Sequence, residues 1–202
     1  MKDETEAIWR PYGIRLDWAD ADASERSAGI VSLDASLERR FEARQRLQLP
    51  TVLGSALMKP DTLAWRPIHV SFDATESVLA HRTTIGRSSV AGVVPGHELA
   101  RALGRVLAHE IGHVLIDALY HDRAGLMRAN FSPEELAEPD ARPFRLTCSS
   151  ADRLESRLRA LTGYTQVIPQ QDSEPLDPEG FRETRREFSG GGASCIALHP
   201  PR

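Results

Sequence analysis

The stretch from Leu99 to Leu115 constrains this chain more than any other. Leu99, Ala102, Leu103, Val106, Leu107, Ile111, Val114 and Leu115 recur at three- and four-residue steps, the mark of an α-helix with one apolar stripe turned to a core. Pro95-Gly96 punctuates the start of the run, and Glu98 suits the positive end of a helix beginning there. A buried helix of this length needs other elements wrapped around it. With 202 residues and 41% hydrophobic content, the chain is large enough for one ordinary domain with a sizeable core.

The same helix carries His109, Glu110 and His113, in the order His-Glu-x-x-His. A helix turns about 100° and rises about 1.5 Å per residue, so the two histidines stand on one face, one turn apart. From there both imidazoles can reach one metal ion, with bonds of roughly 2.0–2.1 Å to Zn²⁺. Glu110 projects beside them, where a general base must stand to take a proton from water. A single histidine on such a helix is ordinarily a packed or surface residue; two at this spacing, with the acid between them, favour a metal site.

A catalytic zinc takes three protein ligands and keeps a fourth position open. Asp117 continues the four-residue series, but three residues spread over about 12 Å of one helix cannot converge on one ion. Asp117 instead suits a supporting or surface role. Glu134 and Glu135 follow at a greater distance, yet Ser132-Pro133-Glu134-Glu135 also reads as a helix start, with a Ser cap, Pro in the first turn and acids at the positive end. His121 is the preferred third ligand. It can reach the metal only if the helix stops near residues 116–119 and the chain folds back, and Gly125-Leu126-Met127 supports such a turn.

At these residues the chain resembles the metzincin metalloproteases, above all the matrixin-like branch and its small bacterial members. Their pattern is His-Glu-x-x-His-x-x-Gly-x-x-His followed by a Met-containing turn. The resemblance implies His109, His113 and His121 as zinc ligands, Glu110 as the base and Met127 as an apolar floor beneath the histidines. Ile116 stands where the family has its turn-making Gly, and His121 comes two residues later than usual. The His-Glu-Ile-Gly-His run also resembles the cytoplasmic repressor-cleaving metalloproteases, which take a Glu ligand from a downstream helix, here Glu134 or Glu135. That family's Glu-Glu-x-x-Ala-Asn helix is missing.

Elsewhere, Asp3 to Trp9 reads as a short helix. Ile14, Leu16 and Trp18 alternate with Arg15 and Asp17 as in a half-buried strand. Ala28 to Leu33, Leu53 to Met58 and Ile68 to Phe72 read as further strands, residues 35–47 as a surface helix, and 75–96 as irregular or a short helix. Ser149-Ser150 opens an amphipathic helix with Leu154, Leu158 and Leu161, stopped by Gly163. The expected fold is α+β and zincin-like: a twisted, mostly parallel four-stranded sheet with an edge strand, packed on the long zinc-binding helix, plus a short C-terminal helical part. Residues 1–163 form this domain. Residues 164–202, rich in Pro, Gly, Ser, Glu and Arg, read as a flexible tail. The resemblance sets Gly54, Ser55 and Ala56 as the sheet edge that pairs with extended substrate, since a free edge offers unpaired N–H and C=O groups.

A net charge of −4 and a pI near 6.0 favour neither nucleic acid nor an anionic membrane as partner. With no apolar run near the roughly twenty residues of a membrane span and no signal-peptide core at the N-terminus, the chain as written is expected to be soluble, cytoplasmic unless trimmed from an exported form. Cys148 and Cys195 read as two ordinary thiols. The expected protein is a monomeric zinc peptidase that acts on a peptide or protein substrate. A non-catalytic zinc-binding domain is the alternative from another class, although a purely structural zinc would want a fourth protein ligand rather than a base.

Overall fold

A computed structural model of the chain describes residues 1–19, 31, 33–39, 52–57, 66–86 and 93–162. Its axis is helix α3, Gly96–Ile116, in which Leu99 and every residue from Ala102 to Ile116 are buried. A helix covered on all sides must be wrapped. Here α1 (Lys2–Trp9), α2 (Phe72–Gly86), the short α4 (Pro133–Ala137) and α5 (Cys148–Thr162) pack on it, together with strands β2 (Gly54–Ala56) and β3 (Arg66–Ser71). The core gathers Trp9, Ile68, Leu79, Leu107, Leu126, Met127, Leu136 and Phe144, each at most 2% exposed. Truncating one of the Leu side chains to Ala typically costs about 2–5 kcal/mol.

Two features bind the wrapping helices to α3. Thr5 Oγ1 donates to Gly104 O at 3.0 Å, and a Cβ on Gly104 would lie 2.7 Å from Met1 O, so α1 crosses α3 where only glycine fits. Arg105 is wholly buried yet fully engaged. Its Nε meets Glu4 Oε1 at 2.8 Å, its other nitrogens donate to the carbonyls of Glu135, Leu136 and Asp140, and its guanidinium lies 4.3 Å from the centre of the Phe144 ring. A charge can be buried at tolerable cost only when it is paired and hydrogen-bonded in this way. Arg105 thereby ties α1, α3, α4 and the Arg142–Phe144 turn together.

The sheet departs from expectation. Among the described residues it has three strands, ordered β1-β3-β2, with β1 (Leu33–Glu38) parallel to β3 and β2 antiparallel to it. The chain is α+β with a small mixed sheet, and the described residues do not show a mostly parallel four-stranded one. Ile14, Leu16 and Trp18 are partly buried and alternate with exposed Arg15 and Asp17, but among the described residues they pair with no strand. Their inward side chains pack on the core, and the Trp18 indole N–H donates to Glu6 of α1, so a period of two is satisfied here by packing against a helix. Residues 35–38, expected to open a helix, form most of β1, while 40–50 lie outside the described residues. Of the strand expected at Ala28–Leu33, Leu33 opens β1, while 28–30 and 32 lie outside the described residues. The strand at Leu53–Met58 shortens to β2. The strand at Ile68–Phe72 becomes Arg66–Ser71, and α2 starts immediately after it and runs to Gly86.

The helices near the other end follow the sequence closely. Ser132 caps α4 through a reciprocal pair of bonds with Glu135 and α5 ends at Thr162. Residues 163–202, including the expected tail, lie outside the described part. Cys148, at the head of α5, is disulfide-bonded rather than the free thiol expected; Cys195 lies outside the described residues. No helix among the described residues is long and apolar enough to cross a membrane.

Candidate metal centre

The last turns of α3 carry His109 and His113 on one face, with ring centroids 4.6 Å apart. Each ring is pinned by a backbone carbonyl: His109 Nδ1 lies 2.7 Å from Leu126 O, and His113 Nδ1 lies 2.7 Å from Ala118 O. A carbonyl can only accept, so both Nδ1 atoms carry the proton. Burial lowers the pKa of both rings, that of His109 to about 4, with the neighbouring imidazoles adding to the effect. At neutral pH the rings are therefore uncharged, and each Nε2 presents a bare lone pair.

Those two Nε2 atoms are 3.0 Å apart. With no proton left to share, they repel unless a cation sits against both. Two nitrogens bound to one tetrahedral zinc at roughly 2.0–2.1 Å stand about 3.3 Å from each other, so the observed spacing fits such an ion.

The third imidazole arrives through an abrupt exit from the helix. Asp117 adopts the left-handed conformation, φ 57° and ψ 49°, and the N–H groups of Asp117 and Ala118 both donate to His113 O. The resemblance places a glycine at position 116 for this turn. The chain instead turns one residue later, at an Asp, which tolerates the left-handed region better than most side chains. The reversal stacks His121 on His109, 5.3 Å between centroids and 10° between planes, and sets it edge-on to His113 at 4.9 Å. One ligand atom from each of His109, His113 and His121 lies within 4.8 Å of the others, and no other group of three or more metal donors of this kind occurs among the described residues. Three imidazoles with an exposed side suit Zn²⁺ with an open position.

Below the rings runs the Gly125-Leu126-Met127 turn. Asp122 N–H donates to Met127 O at 2.7 Å, and Leu126 N–H to Arg145 O at 2.9 Å. Gly125 has φ 75°, and a Cβ there would meet Arg145 O at 2.3 Å, so backbone and space both demand glycine. Met127 is buried against α3 so closely that a Cβ on Gly112 would lie 2.4 Å from its Sδ. Phe131 closes one flank, edge-on to His109 at 5.8 Å.

Glu110 is 6% exposed, and its carboxyl has no hydrogen-bond partner among the described residues. Burial pushes its pKa up to about 7. Strand β2 passes directly over it: a Cβ on Gly54 would lie 2.8 Å from Glu110 Oε1 and 2.9 Å from Val106 Cγ1. Ser71 N–H donates to Leu53 O and Leu57 N–H to Pro67 O. By the alternation of an antiparallel ladder, Leu53, Ser55 and Leu57 thus turn their backbone groups to β3, while Gly54 and Ala56 turn theirs outward.

The other candidates lie elsewhere. Glu135 is engaged in the α4 cap and in an ion pair with Arg128 at 2.7 Å; Glu134 is exposed, and neither joins the histidines. Asp117 points to Arg157 at 3.2 Å. Tyr120, the neighbour of His121 in sequence, has its hydroxyl shut away from solvent with no hydrogen-bond partner among the described residues, so it is not presented to an open site as an oxyanion donor must be. Sequence reasoning missed the Ala118 and Leu126 carbonyls, because a backbone acceptor has no sequence signature.

No family model, curated protein or solved structure matches this chain. The likeness to the metzincins therefore stands on the residues of the motif and their arrangement.

Proposed function

We propose that the chain is a zinc-dependent peptidase of metzincin type, with His109, His113 and His121 as zinc ligands and Glu110 as general base. The observation that carries this reading is the pair of unprotonated Nε2 atoms facing each other at 3.0 Å beside a third imidazole and an unpartnered buried carboxyl. When bound, zinc would bring the pKa of a water towards 7 and polarise the scissile carbonyl.

The rest of the chemistry belongs to the chain. The Leu126 and Ala118 carbonyls hold the two helical imidazoles in the tautomer that leaves Nε2 free. Glu110, with a pKa near 7, is matched to accepting a proton from water and returning it to the leaving amine. The outward N–H and C=O groups of Gly54 and Ala56 pair with an extended peptide as an added strand, beside Glu110, so a bound peptide lies next to the base. Met127 supports the helix from below by filling the space that Gly112 leaves. A peptide or protein segment able to extend is the substrate class this geometry favours.

The test is Glu110→Gln. The variant is expected to bind one equivalent of zinc with near-normal affinity while peptide hydrolysis falls by about 10²–10⁴-fold. Full activity in a zinc-loaded variant would contradict the scheme.

A further inference from the structure

The three imidazoles are not held alike. His109 and His113 are buried and pinned through Nδ1; His121 is exposed, and no hydrogen bond to its ring occurs among the described residues. Something other than its own ring must orient it. The segment that carries it, residues 117–122, touches α5 at three points. Asp117 Oδ2 meets Arg157 Nη2 at 3.2 Å. The Tyr120 ring lies under the Arg153 guanidinium, 4.2 Å from its centroid. Asp122 Oδ2 accepts from Thr147 Oγ1 at 2.6 Å and from Ser150 Oγ at 2.7 Å. Thr147, Ser150, Arg153 and Arg157 follow at steps of three, three and four, which is one stripe of a helix and its cap.

We infer that this stripe of α5 is the positioning device for the third ligand: Arg153, Arg157 and the Thr147–Ser150 pair hold the 117–122 arm so that His121 meets the ion already approached by His109 and His113. The inference rests on the zinc reading above. The α5 side chains are positioning residues and touch no substrate. Supporting groups of this kind typically change metal affinity by about 10–100-fold, and here the effect should pass mainly through His121, with a smaller share through the Ala118 carbonyl, which lies on the same arm and holds His113.

The experiment pairs Arg153→Ala/Arg157→Ala with His121→Ala. Zinc affinity is measured by chelator competition, and coordination by the visible absorption of the cobalt-loaded protein. The α5 double variant is expected to bind zinc about tenfold more weakly, with a cobalt spectrum shifted towards that of His121→Ala. Placed in the His121→Ala background, the same two substitutions are expected to change both quantities much less, leaving only what reaches His113 through Ala118 O. Arg157→Lys, which keeps the ion pair, should recover part of the loss. Equal losses in both backgrounds would overturn the inference, since α5 would then be supporting the fold at large. Unchanged affinity and spectrum with His121 intact would overturn it too. If the unsubstituted protein binds no zinc, the metal-centre reading itself falls, an outcome distinct from either.

Discussion

Helix α3 and the arm that follows it bring imidazoles to the same point by opposite means. On α3, every residue from Ala102 to Ile116 is buried, so His109, Glu110 and His113 inherit their places from a helix that cannot move without exposing the core. On the arm, Leu119 is 73% exposed and His121 is exposed; its geometry comes from a left-handed Asp and from polar contacts with α5. A site built this way has a rigid half that sets two imidazoles and a buried carboxyl, and a looser half that adds the third imidazole. The rigid half should resist substitution of its neighbours, and the looser half should answer to them.

The widest test of this contrast removes one ligand from each half. His113→Ala is expected to weaken zinc binding by about 10²-fold or more, given a total of roughly 10–16 kcal/mol shared among the ligands of a typical structural site. The loss in His121→Ala should be smaller, because an exposed imidazole with no hydrogen bond holding its ring among the described residues returns less free energy. Competition titrations of both variants decide it, and equal losses would erase the distinction between the halves.

A second test reads the cost of burying the Glu110 carboxyl. In the metal-free protein Glu110 has its pKa raised from 4.5 to about 7. The native state keeps a proton that the unfolded chain releases, so this group lowers stability as pH rises from 4.5 to 7. His109, lowered from 6.5 to about 4, acts oppositely: the native state binds fewer protons, and stability rises with pH between about 4 and 6.5. Glu110→Gln removes only the falling contribution. Relative to the parent, the metal-free variant should gain on the order of 1–3 kcal/mol between pH 4.5 and 8. Urea midpoints at the two pH values measure this, and a pH-independent difference would contradict it.

Two glycines probe the walls of the rigid half. Gly112→Ala drives a methyl into Met127, 2.4 Å from its Sδ, and should cost about 1–3 kcal/mol by overpacking. Gly54→Ala presses on Glu110 at 2.8 Å and should lower the proposed peptidase activity more than melting temperature, since among the described residues β2 is an edge strand that can shift. The smallest effects belong to the turn. Asp117→Val is expected to cost about 1–2 kcal/mol, the penalty for a side chain in the left-handed region, while Asp117→Gly should stay within about 1 kcal/mol of the parent because glycine takes that conformation freely.

Legibility in the sequence followed the range of the interactions. The residues of α3, the Ser132 cap with Glu135 and the start of α5 at Cys148 are written in patterns a few residues long, and each formed close to where its pattern lies. The alternation at Ile14–Trp18 was equally clear, yet a period of two states only that alternate side chains are covered, not that a strand covers them. The charged 35–47 segment looked helical, while its first four residues pair with β3 instead, because a neighbouring strand thirty residues away outweighs a weak local preference.

What the sequence determined alone was therefore the local frame: a buried helix with two histidines one turn apart and an acid beside them, since i and i+4 geometry needs no partner. Tertiary structure decided where α3 ends at Asp117, which carbonyls pin the imidazoles, that β2 lies over Glu110 and that α5 grips the arm carrying His121. Each of these joins backbone or side-chain groups that no short periodicity links, and backbone acceptors in particular leave no trace in residue identity.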